Sequence, residues 1–237
     1  MMLTSGDFVK SVPGIFAYWN AENAIVSGTT ITTLPDQSGN NQSLRNLTIS
    51  GTAPTYTEID SNFNDHPSIS AFVASTTQAL QATFDTSLLQ PYTIYLVMSV
   101  STNANEMIWR SNAGNFTNSA GFYINTATPT TTILTKDSSV AVTSVGTVAN
   151  GNHVSCCVYD SANTSAIYID SSATAIAISP GDGSLDTNNC AVMTIGAIGS
   201  LVVYSWASMI CYSGAHSALQ RKSLMSYLGK KYGIVTT

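Results

Sequence analysis

Eleven short runs of this chain alternate apolar and polar residues, and that period of two restricts the fold more than any other feature. The runs are IFAYW (15–19), TITTL (30–34), SISAFV (68–73), PYTIYLVMSV (91–100), EMIWR (106–110), GFYIN (121–125), TTILT (131–135), HVSCCVYD (153–160), SAIYID (165–170), AVMTIG (191–196) and LVVYSWASMICY (201–212). Side chains of a strand point alternately to its two faces, so each run offers one apolar face to a core. Clusters rich in Gly, Asn, Asp and Ser, such as DQSGNN, RSNAGN and SPGDGSLDTNN, separate the runs and supply the turns. No linker or charge block divides the 237 residues, a length that single β-sandwiches often reach. The pattern predicts one antiparallel all-β domain over residues 15–237, two packed sheets of roughly a dozen strands. Residues 1–14, MMLTSGDFVKSVPG, stand before it as an N-terminal arm and candidate tether.

Only 9% of the chain is charged, against about 25% in ordinary soluble domains, so Ser, Thr, Asn and Gln must cover the surface. A net charge of −5 with few clustered cations argues against a nucleic-acid partner. Four of the eight basic side chains, Arg221, Lys222, Lys230 and Lys231, sit together in LQRKSLMSYLGKKYGI. Ser217 and Gln220 have capping-box spacing there. Ala218, Leu224, Met225, Leu228 and Tyr232 fall on one apolar stripe at 100° per residue, and Gly233 is a stop signal. A C-terminal helix over 217–232 is therefore expected, packed on the sandwich with its cations in solvent.

The uncharged stretch 187–215 is long enough to cross a bilayer, but Gly199-Ser200 breaks it into two strands and no basic residues flank its start. No membrane insertion is expected. The N-terminus has neither the basic start nor the apolar run of a secretory signal. Cys156, Cys157, Cys190 and Cys211 lack metal-ligand spacing, and neighbours on a strand face opposite ways, so all four read as small buried hydrophobes. A Cys190–Cys211 bridge is the alternative.

Four separated stretches together resemble the concanavalin A-like, laminin G-like jelly-roll domains. IFAYWNAENA followed by ITTLPDQSGNNQSL is similar to the opening of that family, and NDHPSISAF to its next strand, with His66 where Gly is usual. NGNHVSCCVYD with TSAIYID resembles its central strand pair, and the run from IGAIGS to KKYGI its closing strands and helix. The resemblance implies a sandwich of two curved antiparallel sheets that binds sugars, calcium or proteins in different members. It also implies a setting, because such copies are common in bacteriophage structural proteins and bacterial surface proteins.

Chemistry is harder to find. Glycoside hydrolysis needs two carboxyl groups roughly 5 to 10 Å apart. Glu22, Glu58 and Glu106 have no carboxylate at the spacing the catalytic branch of the fold uses, and His66, His153 and His216 form no metal or nucleophile pattern. No enzyme is expected. Asp36, Ser38 and Asn40 of DQSGNN offer alternating oxygens to a calcium ion, though the same residues serve a tight turn. Asp182, Ser184, Asp186 and Asn188 copy the first part of a calcium loop, with Thr187 and Met193 where Gly and Glu belong. For a sugar, Trp109 with Arg110 and Asn112 beside the RSNAGN turn is the candidate platform, while Trp19 and Trp206 belong to apolar strands and a core.

The expected function is that of a non-enzymatic virion protein, a bacteriophage capsid decoration or tail-associated subunit made in the host cytoplasm and partnered by other virion proteins. A carbohydrate-binding adhesin module for host glycans, on a phage or a bacterial cell surface, is the alternative. Homo-oligomerisation is left open by the sequence.

Overall fold

The computed structural model describes residues 5–50, 54–70, 77–100, 106–111, 120–125, 131–135, 148–160, 162–179, 189–195 and 204–237. In chain order the elements begin with helix α1 (Ser5–Ser11), then β1 (Ile15–Asn20), β2 (Ile25–Ser27), β3 (Thr30–Leu34), β4 (Leu44–Ser50) and β5 (Thr55–Asp60). Next come β6 (His66–Ser70), β7 (Thr77–Leu88), β8 (Tyr92–Val100), β9 (Glu106–Ser111), β10 (Gly121–Asn125) and β11 (Thr131–Thr135). The chain closes with β12 (Gly151–Tyr159), β13 (Ser165–Ile169), β14 (Ala177–Ser179), β15 (Cys190–Ile195), β16 (Tyr204–Ser213) and helix α2 (Ala218–Tyr232). Short 3-10 turns follow β1 and β5 at Ala21–Asn23 and Ser61–Phe63.

The strands run in the order β11-β10-β9-β15-β7-β4-β3-β5-β6-β16-β8-β12-β13-β14, with β1 on β16 and β2 on β3, and they curl into two facing layers. Every pairing among the described residues that has a register is antiparallel, as in β12 on β8, where Cys156 lies opposite Tyr95. This is an all-β, jelly-roll-like sandwich with one C-terminal helix, as expected.

Alternation explains the layering. On β7, Leu80, Ala82 and Phe84 are buried in the main core while Gln81 is half-buried and Thr83 and Asp85 are exposed. Met193, Ile195, Trp109 and Phe122 extend that layer, and Ile94, Leu96, Met98, Cys157, Tyr159 and Trp206 meet them from the other. Trp19 and Trp206 are both fully buried, as their apolar strands imply.

All nine residues of β8 are buried, so a second cover is needed. Tyr95 and Val97 point away from the main core into a second cluster with Val154, Cys156, Tyr212 and the α2 residues Leu224, Met225, Leu228 and Tyr232. Each such α2 side chain contributes about 1.5 to 3 kcal/mol by leaving water. Cys156 and Cys157 do face opposite clusters, and all four cysteines are free and buried.

Helix α2 starts at the capping box: Ser217 Oγ accepts from Gln220 N and Gln220 Oε1 accepts from Ser217 N at 3.0 Å. It ends at Gly233, whose φ of 69° is the left-handed stop. No helix of the described residues is long and apolar enough to cross a membrane.

Three expectations change. Sixteen strands form among the described residues rather than a dozen: β2 and β14 are only three residues long, and TQALQATFDTSL in β7 alternates with small Ala inward. The N-terminal stretch is not a free arm from Ser5 onward. Val9 is fully buried, its carbonyl accepts from Tyr212 Oη at 2.8 Å, and the Phe8 ring lies 4.9 Å from that of Tyr227. The short helix finds there the same apolar strip that α2 covers. Finally, Ala218 is exposed rather than on the buried stripe of α2.

Candidate functional site

Among the described residues, two concave features flank α2, one near each end. The larger, about 270 Å3, lies beside its first two turns. Ser171, Ser172 and Ala173, which follow β13, form one wall, Ala218, Arg221, Lys222 and Met225 form the other, and Thr237 closes the end.

Arg221 is fixed in this cleft by two contacts. Its guanidinium centre sits 3.9 Å above the Tyr168 ring, and Nη1 donates to the His216 carbonyl at 2.8 Å. A cation over an aromatic face contributes about 0.5 to 2 kcal/mol, so the charge is held while the rest of the planar fork is left to the cleft. His216 beneath it is neutral: burial, with Arg221 adding repulsion, pushes its pKa down to about 4. Its Nδ1 shares a 2.8 Å hydrogen bond with Tyr95 Oη.

The opposite wall is a strained turn. Asp170 and Ser171 both have left-handed backbone, φ 53° and 63°, and Ser172 N donates to Ile169 O at 3.0 Å across them. This is the geometry that Asn-Gly adopts most easily; non-glycine residues there cost about 1 to 2 kcal/mol each. Hydrogen bonds with three residues hold Asp170 in place. Oδ1 accepts from Val154 N at 2.9 Å, Oδ2 lies 2.7 Å from His153 Nδ1, and the carbonyl accepts from Thr237 N at 3.0 Å and Thr237 Oγ1 at 3.2 Å. Ser171 follows on the cleft wall, 7% exposed, its Oγ inaccessible to solvent and without a hydrogen-bond partner among the described residues. A buried hydroxyl left unpaired costs about 1 to 3 kcal/mol. A strained turn thus borders a cavity whose charged lining residues are both cations.

The smaller feature, about 90 Å3 near the other end of α2, is lined by Lys10, Tyr18, Asn20, Glu22, Gln37 and Lys231 among others. Its polar groups answer one another. Glu22 Oε1 meets His66 Nδ1 at 2.8 Å and Lys231 Nζ at 3.0 Å, and Oε2 accepts from Asn20 Nδ2 at 3.0 Å. Burial pushes the Tyr18 hydroxyl up to about 12. This pocket is a joint between α2 and the sandwich.

The residues singled out in the sequence lie elsewhere. Trp109 is 0% exposed, edge-on to Tyr159 at 5.2 Å in the main core, so no ring face is free for a sugar. Arg110 is 8% exposed on the opposite face of β9, opposite Thr194, and burial lowers its pKa. Asn112 lies outside the described residues, as do Asp182, Ser184, Asp186 and Asn188. The Trp109–Arg110 platform is thereby corrected: a strand buried between two neighbours presents no aromatic surface.

Asp36, Ser38 and Asn40 form the tight turn. Asp36 Oδ1 accepts from Tyr18 N and Ser38 N, and Oδ2 from Ser38 Oγ and Gln42 N, all within 2.9 Å. Asn40 Nδ2 donates to the carbonyls of Ile15 and Phe16, both at 3.0 Å. Their oxygens and amides tie β1 to the following loop, and no group of three metal-ligating side chains exists among the described residues.

The cleft residues Arg221 and Lys222 were visible in sequence only as part of a cationic helix. Their partners Tyr168 and Ser171 are some fifty positions away, and no local pattern links them.

No family model and no curated protein sequence matches the chain. Solved structures do resemble it. The binding domain of Paraclostridial Mosquitocidal Protein 1 superposes with a TM-score of 0.64 at 11% identity, covering 94% of this chain and 53% of that one. The binding domain of Botulinum Neurotoxin DC in complex with SialylT gives 0.58 at 15% identity, covering 93% and 52%. A Trypanosoma rangeli sialidase in complex with sialic acid gives 0.59 at 7% identity, covering 95% and 37%. The chain thus spans between about a third and a half of the length of these proteins, and at such identities the likeness is one of fold. It shows that the chain has a β-sandwich fold.

Proposed function

We propose that the chain is a carbohydrate-binding module whose ligand enters the cleft beside the start of α2. The observation that carries this is a fixed guanidinium, Arg221 over Tyr168, on an open cavity whose facing wall is the left-handed Asp170–Ser171 turn. A planar donor fork suits sugar oxygens, and the cavity lies just below the usual range of about 300 to 1,000 Å3 for small-molecule sites, the size for one sugar ring. Lectin-like neighbours solved with SialylT and with sialic acid support the same reading by analogy.

The module acts by binding. Glu22 is occupied by Lys231 and His66, Asp36 by backbone N–H groups, and the cleft lining includes no Asp or Glu. A place on a virion or a cell surface is the setting in which such a module would bring a particle to a glycan-coated host. Stoichiometric recovery of the chain from purified particles tests that setting. Glycan-array screening of the protein and its Arg221→Ala variant tests the binding role: wild-type signals that vanish in the variant are expected, and a silent wild-type array would overturn it.

A further inference from the structure

The chain contains one Asn-Gly step, Asn150–Gly151, and it stands at the start of β12 beside a histidine held between two acceptors. We infer that Asn150 is a site of self-modification: the Gly151 nitrogen attacks the Asn150 side-chain amide, and His153, held by Asp170, speeds the conversion to aspartate or isoaspartate.

Three observations meet at this step. First, Asn150 and Gly151 are both exposed, and the Asn150 side chain makes no hydrogen bond among the described residues. Other exposed asparagines are engaged: Asn40 donates to the Ile15 and Phe16 carbonyls, and Asn163 to Asp160 Oδ2 at 2.9 Å. Asn41 and Thr164 follow those two, and a Cβ there crowds the attacking nitrogen. Second, Gly151 has no Cβ and holds a φ of 136°, a backbone conformation that favours glycine. It also belongs to the terminal pair of the β12–β8 ladder, opposite Val100, so its amide leaves the sheet without opening a second pair. Third, the His153 ring lies against the turn. Its Nε2 is 2.9 Å from the Ala149 carbonyl and 3.9 Å from where a Cβ on Gly151 would stand, and its Nδ1 is 2.7 Å from Asp170 Oδ2. Burial opposes a charge on this ring, but the hydrogen bonds to Asp170 and Ala149 outweigh it and favour the imidazolium. Asp170 is the one charged group facing the ring among the described residues. A cation beside an amide N–H makes the proton easier to remove, because it stabilises the anion left behind.

The chemistry needs only water. A solvent base removes the Gly151 amide proton, the nitrogen closes on Asn150 Cγ, and the bond from Cγ to the side-chain nitrogen breaks. That nitrogen leaves as ammonia, protonated from solvent, and a succinimide ring remains. Water then opens the ring at either carbonyl. The product adds a negative charge beside the histidine that braces the Asp170–Ser171 wall of the cleft.

In the test, the full chain is aged at neutral pH and body temperature and digested at intervals. The peptides are read by mass spectrometry, with released ammonia measured in parallel. Conversion should concentrate at Asn150 and stop in Asn150→Gln, whose longer side chain closes the ring poorly. His153→Gln should slow it about fivefold, the factor that a unit charge at about 4 Å gives in water. Circular dichroism of the same samples shows whether that variant is folded, and the pH profile of the wild type needs no variant. There the rise in rate with pH should flatten where the imidazolium loses its proton, above about 6.5. An Asn150 that stays intact as the chain ages, or that converts no faster than Asn40 or Asn163, would overturn the site. Conversion at Asn150 with an unbroken rise in pH profile, or at an unchanged rate in folded His153→Gln, would overturn the role of the histidine.

Discussion

The two ends of α2 carry nearly the same residues and put them to opposite uses. Near the C-terminal end, Lys231 has a side chain only 10% exposed and closes on Glu22 at 3.0 Å, joining the helix to the turn after β1. Near the N-terminal end, Arg221 and Lys222 face an open cavity, and Arg221 rests on an aromatic ring. In a chain this poor in charge, the role of a cation is set by what the distant chain brings to it. Where the sandwich offers a carboxylate, the cation becomes a fastener. Where it offers an aromatic ring and no carboxylate, the cation stays on the rim of an open cavity.

Substitutions at the two ends should separate those roles. The largest effect is expected from Tyr232→Ala, since the ring is 1% exposed and stacks edge-on with Phe63 at 6.3 Å. Urea denaturation should show a loss of about 3 to 5 kcal/mol, with ligand affinity at the other end unchanged while the protein remains folded. Gly229→Ala follows. Alanine is the better helix former by about 1 kcal/mol, yet a Cβ here would lie 2.5 Å from Thr236 Cγ2 and 2.8 Å from the Ile234 carbonyl. The tail that folds back on the helix would have to move, so a net loss of about 1 to 3 kcal/mol is expected in thermal unfolding.

A smaller pair of effects gives the sharpest contrast. Lys231→Met should cost under about 1 kcal/mol of stability, the ion pair being a third exposed at Glu22, and should leave saccharide affinity untouched. Lys222→Gln should change stability by less than about 0.5 kcal/mol while weakening saccharide binding about tenfold. If Lys231→Met weakened the sugar as much, the division of labour along α2 would be wrong.

The smallest effects are pH-dependent and have opposite signs on the two walls of the cleft. Burial pushes the His153 pKa down, but hydrogen bonds to Asp170 and to the Ala149 carbonyl outweigh it, and the net shift is upward. Both ring nitrogens face acceptors, at 2.7 and 2.9 Å, so the imidazolium is the form that fits. Its contribution is complete below the unfolded value of about 6.5 and is lost as pH rises through the folded one. His216 is the reverse: held neutral, with a pKa of about 4, it contributes above about 6.5 and loses that contribution as pH falls toward 4. Urea midpoints followed from about pH 4 to about pH 9 should therefore lose their alkaline decline in His153→Gln and keep their acid one.

What could be read from sequence was local. The capping box, the stop at Gly233, the buried stripe of α2 and most core strands follow from spacing alone. The inward Trp19 and Trp206 follow from alternation, and the DQSGNN turn from its Asp. The long strand β7 did not stand out because Ala82 occupies an inward position that a bulky residue usually marks. Trp109 looked available beside a turn, but β9 lies between β10 and β15, which sequence spacing does not reveal. The cleft was hidden for a further reason. Asp170-Ser171 lacks the glycine that announces a left-handed turn, and its strain is sustained by His153 and Val154 of β12 and by Thr237, from two other parts of the chain.

The most direct test of the account is a two-dimensional NMR titration of the labelled protein with N-acetylneuraminic acid, following every backbone amide. The account predicts that the shifting amides gather at Ser171, Ser172, Ala218, Arg221 and Lys222 and that those around Glu22 and Lys231 stay still. Shifts centred on the Glu22–Lys231 joint, or on β9 around Arg110, would contradict it.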